Sequence, residues 1–311
     1  VTTNTRPSNY PAYFALGIGI LSLGFSGIFV RWANAPGIVT SLYRMAIATA
    51  ITTVPFLREV KTHRSDLSRP AMRTAILGGL VFAGDIAFWA TGVMLSGATN
   101  PTLLANTSPL WVGLGALIFF REKLTPRFWF GLILAMSGAA IVLGLDTLQA
   151  TSMGLGTLMG LLAGVFYGAY FLVTQRGREE MRLFSYFWIS SASTTVWLLL
   201  LSLALRLPLT GYSLQTYLSF LGVGLVTQVI GYLAINFALG RLPATLVSPT
   251  LLGQPVVTAI LAGPLLGENI HPWQIIGGVG VLLGVYWVHR SKAIQPHISP
   301  PVDAMFFCFK A

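Results

Sequence analysis

Two ionisable side chains stand inside stretches that are otherwise apolar: Asp85 in the run 74–95 and Arg44 in the run 36–57. If these runs are helices crossing a bilayer, a rise of about 1.5 Å per residue from their outer ends puts the two groups roughly 15 and 12 Å deep, at a common level. A charge so deep costs at least about 2.5–3.5 kcal/mol on insertion scales, which makes each one a functional hypothesis. Three uses fit Asp85. It forms a structural ion pair with Arg44, or it faces a cavity as a proton carrier, or it holds the ammonium group of a substrate there.

Other polar groups share the spacing that lines one side of a helix. Trp89 follows Asp85 by four residues and lies on its face. Gln228, Tyr232 and Asn236 repeat that interval in the run 214–239, a polar and aromatic stripe that is costly against lipid and is expected to point inward. Tyr167, with Tyr170 and Thr174, is a weaker stripe in the run 154–174. Prolines add backbone groups, because each one inside a helix leaves the carbonyl four residues earlier without its usual donor. Pro109 thereby frees Ala105, Pro255 frees Leu251 and Pro249 frees Thr245. Pro109 and Pro255 stand beside Asn106, Ser108 and Gln254, so either these breaks bind the polar head of a substrate or the prolines only kink packed helices.

The elements that must position these groups follow from composition. Of 311 residues, 54% are apolar and only 9% charged, far from a soluble domain. Runs long enough to span the hydrocarbon as helix occur at 11–30, 36–57, 74–95, 101–120, 126–145, 154–174, 184–206, 214–239, 243–263 and 272–290. The expected fold is therefore an all-α polytopic membrane protein of ten transmembrane helices. The first run lacks a basic leader and a small-residue cleavage site, so it reads as a retained helix. The tail 291–311, rich in proline, reads as disordered.

Shifting the chain by about 146 positions, a period long enough for a multi-helix repeat, lays Pro109 on Pro255, Glu122 on Glu268, Pro126 on Pro272, Gly131 on Gly277 and Gly138 on Gly284. The copies are 11–145 and 154–290, joined by Asp146–Met153 on the outer side. With five helices in each, the second copy must be inverted in the bilayer. Glu122 and Glu268 then fall at helix ends on opposite faces, either as solvated carboxylates or as reciprocal gates. Glycines at 156, 160, 164 and 168, and again at 280 and 284, form stripes that let a neighbouring backbone approach closely.

The net charge of +10 would point to nucleic acid in a soluble protein, but its placement here reads as topology. Arg6, Arg58, Lys61, Arg64, Arg69, Arg73, Arg121, Lys123, Arg127, Arg176, Arg178, Arg182, Arg241, Arg290, Lys292 and Lys310 fall on one side. Only Arg31 and Arg206 fall on the other. This bias puts both termini in the cytoplasm, the protein residing in the plasma (inner) membrane.

The stretch Gly24-Phe-Ser-Gly27-Ile-Phe-Val-Arg31-Trp, the Leu42-Tyr-Arg44-Met pattern, and the paired Arg121-Glu-Lys and Gly267-Glu-Asn helix ends resemble the EamA-type members of the drug/metabolite transporter superfamily. The resemblance covers about residues 12–290. It implies a central cavity lined mainly by the first, third, fourth, sixth, eighth and ninth helices, and cargo among amino acids, other metabolites or toxic organic molecules. Inverted halves that exchange conformations open a midplane site alternately to each side.

The leading reading is a secondary exporter of small amphipathic metabolites, with lipid as its surroundings and with protons as a coupling ion if Asp85 is the carrier. A lining with few charges favours zwitterions, weak cations or neutral aromatics over phosphates. Uptake and passive conduction are the alternatives. The chain has no phosphate-cradling Gly-x4-Gly-Lys-Ser/Thr loop, no His-Glu-x-x-His and no Gly-x-Ser-x-Gly, and its four histidines, His63, His271, His289 and His297, lie in loops or near helix ends. Neither ATP hydrolysis, metal, cofactor nor an intramembrane enzyme is expected.

Overall fold

The computed structural model describes residues 9–63, 67–96, 99–144, 154–267 and 271–291. The linker between the halves, the tail, Cys308 and Glu268 lie outside the described residues. Every regular element is helical among those described. We number the long helices α1 (Tyr10–Ala33), α2 (Gly37–Thr62), α3 (Arg69–Ser96), α4 (Pro101–Phe120), α5 (Pro126–Leu143), α6 (Leu155–Glu180), α7 (Leu183–Ala204), α8 (Leu214–Leu239) and α9 (Ala244–Leu265); these nine are long and apolar enough to cross a membrane. The last, α10 (Pro272–Arg290, 19 residues), is of similar length, but Trp273, Gln274, His289 and Arg290 make its ends more polar.

Several helices run further than their hydropathy predicts. α3 begins five residues before the expected 74, and α6 continues six residues past 174. The added turns carry Arg69, Arg73, Arg176, Arg178, Glu179 and Glu180. Charge ends an apolar run without ending a helix, because long charged side chains reach water from the last turns. On α6, Arg176 bridges Glu179 at 2.8 Å and Glu180 at 3.2 Å, which supports the final turn.

The two copies break their helices at matching places. α4 is interrupted at Asn106–Thr107, where Thr99–Ala105 gives way to Ser108–Gly115; α9 is interrupted at Leu251–Leu252, between Ala244–Thr250 and Gly253–Leu266. Pro109 and Pro255 follow these breaks in the first turns of the new segments, where the absent N–H is not needed. The carbonyl expected to be free at Leu251 accepts the Gln254 N–H at 2.9 Å, so that expectation fails: a tight turn satisfies it. Both helices end on a left-handed residue at equivalent positions, Arg121 (φ 52°) and Gly267 (φ 70°). α8 departs from its expected α-helical face, since Val223–Tyr232 is a π-helical stretch.

α5 and α10, equivalent in the repeat, cross at bare backbone. A Cβ on Gly131 would lie 2.8 Å from the Gly284 carbonyl oxygen, and one on Gly138 would lie 2.6 Å from that of Gly277. As one sequence number rises the other falls, so the two helices run antiparallel. The remaining packing has the same exchange pattern. α3 packs on α6 and α7 as α8 packs on α1 and α2, α4 on α6 as α9 on α1, while α2 meets α7. The α6 glycine stripe receives α4: a Cβ on Gly164 would lie 2.6 Å from the Leu104 oxygen, and on Gly168 2.7 Å from the Trp111 Cβ. Side chains such as Leu200, Leu218, Ile275 and Leu282 face outward, as a lipid-facing surface requires.

Candidate functional site

A cavity of about 180 Å³ lies between the halves. Its walls come from α1, α2, α3, α4, α6, α8 and α9, which adds α2 to the expected set. Val30, Gly37, Trp89 and Thr102 lie toward the end where α1 meets α2 and α3 meets α4; Phe82, Tyr167 and Tyr232 form the floor. Arg44, Asp85, Asn106 and Gln254 line the space between.

The walls are fixed by hydrogen bonds. Trp89 Nε1 donates to Thr102 Oγ1 at 3.0 Å, which ties α4 to α3, and Asn106 Nδ2 at the break in α4 donates to the Thr102 carbonyl of the same helix at 2.9 Å. The hydroxyls of Tyr167 and Tyr232 meet at 2.9 Å across the floor. Beneath them Phe82 stacks on Tyr170 with ring centroids 4.5 Å apart, and Tyr167 packs on Phe171 at 4.6 Å. Such pairs add to the burial of their own area, and this aromatic layer lies on the side of the cavity away from Val30 and Trp89.

Arg44 and Asp85 share this cavity without pairing. Arg44 Nε instead donates to Gln228 Oε1 at 2.6 Å, and its guanidinium carbon sits 4.8 Å from the centre of the Tyr232 ring. Among the described residues no hydrogen bond or ion pair joins Arg44 to Asp85, which corrects the ion-pair reading. Asp85 is 9% exposed. The separation arises because the guanidinium is held on the α8 side.

The remaining candidates sit away from the cavity surface. Gln228 stands behind Arg44. Asn236, fully buried, donates to the Tyr170 hydroxyl at 3.3 Å and the Tyr232 carbonyl at 2.9 Å; it supports the floor from below. Ser108 is packed against Gly168. Sequence reasoning missed Phe82, Ser41 and Thr102. Phe82 and Ser41 lie three residues before Asp85 and Arg44, on faces already marked, so the helical period alone would have found them.

At the end of the bundle away from Val30 and Trp89, polar contacts cross between helices. Glu122, just past α4 and 8% exposed, accepts the Thr245 hydroxyl at the start of α9 at 2.9 Å. Gln175 Oε1 of α6 accepts the Ala244 N–H at 2.6 Å, and Glu59 Oε2 of α2 accepts the Ser185 N–H of α7, also at 2.6 Å. Glu122 is the carboxylate of this clasp whose pKa burial raises above the ordinary glutamate range, the Thr245 bond opposing the shift. A raised carboxyl favours the protonated, buried form. The contribution of Glu122 to the clasp is therefore complete below the ordinary glutamate pKa, about 4.3, and is lost as pH rises through the raised value. Solute exchange measured while the pH on the clasp side is lowered through this interval should slow as the clasp tightens, and Glu122→Gln should flatten the profile.

A helical bundle of this hydropathy around a cavity lined by both copies is the arrangement of a membrane transporter. The EamA-like transporter family matches residues 11–144 and 154–290, and the chain belongs to that family of transporters. It is 24% identical over 251 residues to an uncharacterized transporter, YyaM, of Bacillus subtilis, covering 79% of this chain and 82% of that one. It is 29% identical over 212 residues to a riboflavin transporter of Rhizobium johnstonii, 63% of each chain. It is 27% identical over 200 residues to a probable terminal-alkyne amino-acid exporter of Streptantibioticus cattleyicolor, 62% of this chain and 64% of that one. A solved crystal structure shares the fold with a TM-score of 0.76 at 17% identity, covering 89% of this chain and 96% of that one.

Proposed function

We propose that this protein is a ten-span secondary carrier of the plasma membrane, built from inverted five-helix halves 11–145 and 154–290, which exports small amphipathic metabolites by alternating access around the central cavity. The observation that carries the reading is the crossing of α5 and α10. Equivalent helices of two copies in one orientation run parallel, whereas these run antiparallel through Gly131–Gly284 and Gly138–Gly277. The bias of basic residues supports assigning the clasp end and both termini to the cytoplasm. On that assignment the cavity opens outward, and the aromatic floor and the clasp are the closed inner barrier.

A lining that mixes aromatic rings, amides and single charges favours amphipathic organic solutes over phosphates, which call for several converging cations. Two of the relatives are named for organic cargo, riboflavin in one and a terminal-alkyne amino acid in the other. Asp85 remains the group for proton coupling if one is used.

Counterflow in proteoliposomes tests the carrier reading. Exchange that saturates and is accelerated by solute on the far side is the expected result, whereas unsaturable flux without trans-stimulation would make the protein a channel. Faster efflux from intact cells than uptake into them under the same gradient supports export; the reverse makes it an importer. A cysteine at position 122, in a chain with Cys308→Ser, should react only from the cytoplasmic side.

A further inference from the structure

The cavity carries one positive and one negative side chain that form no direct hydrogen bond or ion pair with each other. Arg44 is anchored to Gln228 and to the Tyr232 ring, and its buried Nη2 has no hydrogen-bond partner, so the protein leaves part of its donor capacity unused. Asp85 sits on the α3 wall between Phe82 and Trp89, one turn to either side. A carboxylate flanked by aromatic side chains suits an ammonium group, which gains both the charge pairing and attraction to ring faces.

The solute chemistry follows from the sum of these charges. A simple cation would meet Asp85 but be repelled by Arg44, and a simple anion would meet the opposite conflict. A neutral solute would leave both charges unanswered in a desolvated site. A molecule bearing both charges satisfies both walls. Size narrows the choice further: about 180 Å³ is below the roughly 300 Å³ at which drug-sized pockets begin, which suits a solute of amino-acid size rather than a three-ring flavin.

We infer that the cavity binds a small zwitterion, its carboxylate toward Arg44, its ammonium toward Asp85 and its apolar part against the aromatic floor, and that Gln228 is the strut that keeps Arg44 and Asp85 apart. This rests on the carrier reading above. Gln228 is 1% exposed and is delivered by the π-helical stretch of α8. It is a positioning residue: it touches Arg44, and the cavity surface does not include it. Without it, Arg44 is free to swing onto Asp85 and close the site with an internal ion pair.

The test uses L-phenylalanine, its cationic analogue 2-phenylethylamine, its anionic analogue 3-phenylpropionate and the neutral 3-phenylpropanamide. Binding is read as ligand-induced thermal stabilisation of the full chain in detergent, since a ligand of the folded state raises its apparent stability. The wild type should be half-saturated by L-phenylalanine at a concentration at least about tenfold lower than by any analogue, a gap of about 1.4 kcal/mol. Asp85→Asn should move the preference to 3-phenylpropionate, and Arg44→Gln to 2-phenylethylamine. Gln228→Leu should bind none of the four, while Gln228→Leu combined with Asp85→Asn should regain 3-phenylpropionate. That rescue separates a strut from a residue needed only for folding.

Equal response of the wild type to all four compounds overturns the zwitterion, with no variant required. A Gln228→Leu protein that binds L-phenylalanine as the wild type does, or a double variant with no rescue, overturns the strut. Counterflow with L-phenylalanine, L-leucine and riboflavin separates this inference from the carrier reading. Exchange of riboflavin alone defeats the zwitterion and leaves a carrier, and exchange of none of the three counts against both.

Discussion

Gly138→Val is expected to remove most of the monodisperse protein recovered in mild detergent, and Gly284→Val to do the same to a similar extent. A Cβ on Gly138 would lie 2.5 Å from the Val281 nitrogen and 2.6 Å from the Gly277 oxygen; on Gly284 it would lie 2.4 Å from the Ala135 nitrogen and 2.6 Å from the Gly131 oxygen. All four obstacles are backbone. A side chain can rotate aside, but a helix backbone yields only by separating α5 from α10 along the crossing. Overpacking costs typically about 1–3 kcal/mol, and these sites belong at or above the upper end of that range. In lipid the loss is not offset by water leaving an apolar surface, because tight packing is itself a main force between such helices.

The two glycines occupy equivalent places in the repeat, so equal damage is expected from one substitution in each half. Gly17 is the control. Nothing lies within 4 Å of a Cβ placed there, and alanine is the better helix former by about 1 kcal/mol, so Gly17→Ala should leave the protein at least as stable. Thermal unfolding followed by size-exclusion recovery measures all three. A Gly138→Val protein as stable as the wild type would show that the crossing is not as close as described.

Helix content, helix order and the repeat were legible in the sequence because each is written in local periodicity or in matched prolines and glycines. Hydropathy misjudged the ends of α3 and α6 for the reason that Arg69 and Arg178 remain helical after the apolar run has stopped. It gave no sign of the π-helical turns of Val223–Tyr232, since a run of apolar residues accommodates either hydrogen-bonding pattern. For the cavity, the helical period selected Asp85, Trp89, Tyr167 and Tyr232, all of which line it, but also Asn236, which lies beneath. A face can be read from spacing; the depth at which the neighbouring helix meets it cannot. The partner of Arg44 was beyond reach for the same reason. Two buried groups of opposite charge at one level suggest a pair, and only the register of α8 against α2 reveals that Gln228 has taken one of them.

Joining the ends of α4 and α9 at the clasp should stop transport, because the alternating access proposed above requires them to part in every cycle. Glu122 accepts the Thr245 hydroxyl there at 2.9 Å, and the Gln175 contact with Ala244 lies beside it. With Cys308→Ser as background, Glu122→Cys and Thr245→Cys place two thiols at the clasp. A short bis-maleimide joining them holds the inner barrier closed. If the inward-open state must be visited once per turnover, exchange falls with the population of that state; a crosslink that disfavours it by about 2.7 kcal/mol slows exchange on the order of 100-fold. Each single-cysteine protein treated with the same reagent should keep its untreated rate to within a few-fold, which separates tethering from bulk added at one site. Binding to the cavity should survive, because its lining lies toward the other end of the bundle. Loss of exchange with retained stabilisation by an externally added ligand is therefore the expected pair of results. A crosslinked protein that still exchanges solute at the uncrosslinked rate would show that the path to the cytoplasm does not run between α4 and α9.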